Sequence, residues 1–306
     1  MNCSTALLEG KLSLLNLLAD EIGVIYESHL ETYNFTANKV NDIKERILNG
    51  TFTFSPLRIR AFHIDDEPEL AFGYTFYCKN NPINYTIYST QEDNLVQIAI
   101  GYLLTKVFLM KNNSKTFTQK NAYYESVCAE GNVLRLYKFD LINTLMTKNR
   151  KDLLSYLSDI VMNHNFMELV EQYIYLPIQD KDGIDITSQI GCCIPPVGPI
   201  TEVVMNQIFK VLDNEFKRLY PSLSYNRLVY QVLVSVPKTY SSQLGIKLEC
   251  ENIFKEQVLT LFDQIDISGN IDSIGPGDRP LLCQRDQVFL SKEGEIQVQI
   301  KDNKEQ

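Results

Sequence analysis

Ile194-Pro195-Pro196-Val197-Gly198-Pro199-Ile200-Thr201-Glu202-Val203-Val204-Met205-Asn206 decides how the chain is read. A turn dense in proline and glycine opens directly into an apolar-periodic run that reaches Phe216. Proline suits a first helical turn, where the N–H it lacks has no intrahelical acceptor, so Pro199 predicts a helix start. Ile208, Val211, Leu212 and Phe216 recur at helical spacing and predict its buried stripe. Tyr225 to Val236 follows, rich in β-branched residues, and reads as an apolar hairpin. Helix, short connection and hairpin form an α+β pattern.

Upstream, residues 4–33 carry leucines on one helical face (Leu7, Leu8, Leu12, Leu15, Leu18) and then Ile22, Ile25 and Tyr26. Ala37 to Leu48 predicts a second helix, stopped by Asn49-Gly50. Thr51 to His63 alternates as a strand broken at Pro56. Leu70 to Tyr77 and Ile83 to Tyr88 predict a hairpin around Lys79-Asn80-Asn81-Pro82. Asp93 is the predicted cap of a helix whose apolar face runs from Leu95 to Val107. Lys111 to Lys120 is polar and marks an internal boundary. Val133 to Phe139 predicts a strand. Helices follow from Asn143 to Val161 and from Asn165 to Tyr173, then strands at Tyr175 to Ile178 and Ile184 to Ile190. The tail predicts a helix at Asn252 to Phe262, a loop at Ser268 to Pro280 and two strands, Gln287 to Leu290 and Ile296 to Ile300.

With 306 residues, 44% of them hydrophobic, the chain can bury a substantial core. Its most apolar stretch, Leu95 to Leu104, is too short to span a bilayer, so no membrane insertion is expected. Seven cysteines without a C-x-x-C pair, and three scattered histidines (His29, His63, His164), point to small buried hydrophobes, not to a metal site or a disulfide framework. Met1 to Gly10 lacks the form of a secretory leader. The net charge of -9 argues against a free-standing nucleic-acid binder, which needs a basic surface to displace counterions. Abundant Asn, Ile and Lys with no Trp suggests an AT-rich gene. The expected location is therefore an organelle matrix, as for a mitochondrially encoded protein, with the cytoplasm as the alternative.

Four blocks in order carry a resemblance. They are Ile47 to Arg58, Asp93-Asn94-Leu95-Val96-Gln97-Ile98-Ala99, Tyr137-Lys138-Phe139-Asp140-Leu141, and Ile194 to Phe216 with Asn206 and Asp213 in place. They resemble the fingers and palm of reverse transcriptases of the group II intron maturase type, over about residues 40–240. The resemblance implies an α+β fold with an antiparallel palm sheet packed on helices. It also implies four segments: an N-terminal helical extension (1–36), a fingers-like part (37–132), a palm-like part (133–248) and a short acidic C-terminal region (249–306). No basic helical thumb follows the palm.

Such palms hold two magnesium ions on carboxylates, one from the first palm strand and a pair from a Y-x-D-D hairpin. Asp140 matches the first position. Arg227 to Val234 matches the hairpin pattern, but Tyr230 and Gln231 stand where the two aspartates belong. No Asp or Glu lies between Glu215 and Glu249, so no shift of register supplies one. A phenol and an amide cannot anchor a hard dication. The family's nucleotide-contacting Gln-Gly corresponds to Pro196 and Val197, its Ser-Pro to Thr201-Glu202, and its triphosphate-holding Arg to Asn84. Asp140, Tyr230, Gln231, Asn84, Pro196, Val197 and Glu202 are thus vestigial positions, and no metal or other cofactor is expected. The expectation is a non-catalytic, polymerase-like subunit with protein partners in a larger assembly. One alternative is an RNA-binding splicing factor without polymerase activity, in which Lys44, Arg46, Arg58 and Arg60 touch the phosphates of structured RNA, and the other is an active RNA-directed DNA polymerase.

Overall fold

Leu15, Leu18, Ile22 and Ile25 form the buried face of the first helix of the computed structural model, α1 Leu14–Ser28. The structure describes residues 13–63, 73–76, 83–112, 120–140, 150–190, 194–195, 198–221, 223–228, 231–238, 271–283 and 286–299. After α1 come α2 Ala37–Leu48, β1 Leu57–His63, β2 Gly73–Phe76, β3 Ile83–Tyr88, α3 Gln91–Asn112, α4 Lys120–Cys128 and β4 Val133–Asp140. Then follow α5 Arg150–Val161, α6 His164–Ile174, β5 Ile178–Gln179, α7 Thr187–Ile190 and α8 Pro199–Leu219. The chain closes with β6 Ser224–Leu228, β7 Gln231–Pro237, β8 Ile271–Ile274, β9 Leu281–Cys283, β10 Asp286–Leu290 and β11 Ile296–Gln299. This is a mixed α+β protein, as its patterning predicts. No helix among the described residues is long and apolar enough to cross a membrane. The expected helix at Asn252 to Phe262 lies outside the described residues.

Two compact units emerge: Met1–Lys115 with Asn149–Val204, and Thr116–Lys148 with Met205–Gln306. The first break falls inside the polar stretch Lys111 to Lys120. The division cuts across the fingers-like and palm-like segments drawn from the sequence, because residues 149–204 cluster with the N-terminal part.

In the first unit the sheet has order β2-β3-β1-β5. β1 pairs antiparallel with β3 and parallel with β5. The ladder begins at Leu57, immediately after Pro56, which has no N–H to donate. α2 ends at Asn49, and Gly50 follows with φ 69, the left-handed conformation that favours glycine. Ile184 to Ile190 is not a strand. Only an isolated bridge joins Gln179 to Asp185, and the Asp185 carboxylate then accepts from the Thr187 N–H and starts α7. Side-chain-to-backbone bonding of this kind competes with a ladder.

The cap of α3 also differs from expectation. Thr90 accepts from the Asp93 N–H at 3.1 Å, so Thr90 is the cap. The buried Asp93 carboxylate accepts from the Ser55 N–H at 3.1 Å and pins the segment before β1. Burial raises the Asp93 pKa, against the lowering effect of its hydrogen bonds to Thr90 and Ser55. The folded protein therefore binds the Asp93 proton more tightly than the unfolded chain. The stability this gives is present at low pH and is lost as pH rises from about 4 through the raised pKa. Asp93→Asn keeps an acceptor without the charge. Its melting temperature is expected to fall less between about pH 4 and pH 7 than that of the parent, and an unchanged slope would refute this account.

In the second unit the sheet has order β6-β7-β4-β8. All three pairings are antiparallel. β8 lies inside the stretch expected to be loop, Ser268 to Pro280, and adds to the open edge of β4. β9, β10 and β11 form a separate three-stranded antiparallel sheet, one strand more than the closing pair predicted.

Successive strand residues face opposite sides. Leu136, Leu228 and Leu233 join one apolar cluster with Tyr123, Tyr124 and Val127 of α4 and with Leu281, Val288, Leu290 and Ile296 of the small sheet. On the other side Tyr225 stacks 4.8 Å from Phe216 of α8. The large sheet is thus covered on both faces. One cysteine departs from expectation: Cys128, at the end of α4, is exposed and free.

Candidate functional site

The segment that opens α8 is held by a small polar clamp in the first unit. The Thr201 hydroxyl donates to the Pro195 carbonyl at 2.7 Å, and the Tyr173 hydroxyl lies 3.0 Å from the Thr201 oxygen. Gly198 has φ 136. A Cβ there would stand 2.5 Å from the Tyr173 hydroxyl, so both the backbone and the space require glycine. The helix starts at Pro199 as predicted, and Gly101 of α3 packs directly on the Pro199 carbonyl. Glu202, in the first turn, is exposed. Pro196 and Val197 lie outside the described residues.

Further along α8, in the second unit, a charged network is buried against β6. The Arg227 Nε donates to Asp213 Oδ1 and Nη2 donates to Oδ2, each at 2.7 Å, a side-on bidentate pair. Arg227 Nη1 donates to Asn206 Oδ1 at 2.7 Å, and the Tyr225 hydroxyl donates to Asp213 Oδ1 at 2.6 Å. The guanidinium also lies 5.6 Å from the centre of the Phe209 ring. Burial, and then the Asp213 carboxylate, push the Tyr225 pKa well above its ordinary value, so the phenol keeps its proton and serves as donor. Asn206, Asp213 and Arg227 are three of the positions on which the resemblance drawn from the sequence rests. Nothing in their spacing says that they meet.

The hairpin β6–β7 brings the remaining candidate positions together. Gln231 opens β7, and its Cα partner is Asp140, the last residue of β4. Its partner on β6 is Leu228. Gln231 is only 4% exposed. It shares a face with Leu228 and Leu233, which belong to the apolar cluster under α4 and the small sheet. Tyr230 lies outside the described residues.

This hairpin does not fit a pair of magnesium ions, because a buried amide stands at position 231. Among the described residues no three His, Cys, Asp or Glu side chains gather where they could hold a metal.

The four candidate RNA contacts separate into two groups. Arg46 binds Glu92 at 3.2 Å and Asp42 at 3.5 Å and covers the Phe52 ring at 4.9 Å. Glu92 also takes Lys39 at 2.7 Å, so these charges tie α2 to α3. Lys44 is half-buried with its ammonium packed over Gly23 of α1. Arg58 and Arg60 are exposed on one face of β1. Asn84 lies on β3 opposite Phe62. No protein-family model and no curated protein sequence matches the chain.

Proposed function

We propose that the chain is a pseudo-polymerase, a reverse-transcriptase-like fingers and palm that serves as a structural or interaction subunit of a larger assembly. One observation carries this reading. The hairpin that would present two carboxylates to metal ions presents a buried amide, Gln231, on the sheet face that also carries Leu228, Leu233 and the buried Lys138. A buried amide cannot supply the negative charge that anchors a hard dication. The palm assignment itself is supported by the antiparallel order β6-β7-β4-β8 with the β6–β7 hairpin in register against Asp140. It is supported also by the meeting of Asn206, Asp213 and Arg227 in one network.

Primer extension on an RNA template with magnesium or manganese is expected to give no incorporation. Incorporation that disappears in Asp140→Asn would overturn the proposal. A second reading, RNA binding without polymerisation, is favoured by Arg58 and Arg60, exposed and without an ion pair among the described residues. Filter binding of structured RNA over a salt series separates the two. Phosphate contacts give a log–log slope of about -0.7 to -0.9 for each contact, and a pure protein scaffold gives no retention.

A further inference from the structure

We draw no further inference here: the strongest candidate, the groove between α5 and α6 lined in part by Lys151, Ser158, His164, Glu168 and Glu171, carries charges of both signs, with Glu168 already paired to His164, and nothing in the structure shows what covers it.

Discussion

Arg227→Met is expected to cost about 3 kcal/mol of stability, read as a lower urea midpoint. The substitution removes both bonds to Asp213 and the bond to Asn206, and it leaves a carboxylate packed against Tyr225 without its counter-charge. The loss comes mostly from this stranded group, not from the intrinsic strength of the ion pair. Two further variants check that account. Arg227→Lys supplies a charge but not the planar fork, so it should recover only part of the loss. Arg227→Met with Asp213→Leu removes both charges, and it should be more stable than Arg227→Met alone. An Arg227→Met protein as stable as its parent would show that the network contributes nothing to folding.

Gly294→Ala is expected to cost a comparable amount, about 3 kcal/mol, and to loosen one particular layer. Gly294 has φ 89, and its carbonyl accepts from the Val133 N–H at 2.9 Å, where the β10–β11 turn meets the start of β4. An added Cβ would stand 2.6 Å from the Val133 carbonyl oxygen and 2.9 Å from its nitrogen. Those are backbone atoms of a paired strand and cannot swing aside. Gly277 is the control. It has φ 82, but a Cβ there meets only the Lys292 side chain at 4.0 Å, so Gly277→Ala should cost about 1 kcal/mol of backbone strain alone. In Gly294→Ala the small sheet should become susceptible to limited proteolysis and the protein should bind a hydrophobic dye. Equal stability losses in the two variants would mean that the contact with Val133 is not what holds the small sheet.

The elements readable from the sequence were those whose pattern is local. α3 declares itself because Leu95, Val96, Ala99, Ile100, Leu103, Leu104 and Val107 all recur on one face, and all are buried. α2 declares itself through its stripe of Val40, Ile43 and Ile47 and its Asn-Gly stop. β8 does not, because four residues amid Gly, Pro and Asp form a strand only when β4 offers them an edge. Ile184 and Ile186 alternate like a strand, but the Asp185–Thr187 bond turns the chain first. Asp93 looked like a cap because it precedes the apolar run, and the shorter Thr90 side chain took that position instead. Of the site, the absence of carboxylates between Glu215 and Glu249 was plain in the letters. The burial of Gln231 was not, since it depends on β7 lying between β6 and β4, a pairing that no local pattern announces. The pairing of Arg227 with Asp213 was equally hidden, because it joins a strand to a helix.

The covered sheet also constrains what this hairpin can become. An aspartate introduced at 231 would enter a buried position next to Leu228 and Leu233 and would carry a desolvation cost. One carboxylate at 231 is also too few to hold two hard dications. A single substitution therefore loses stability and gains no chemistry.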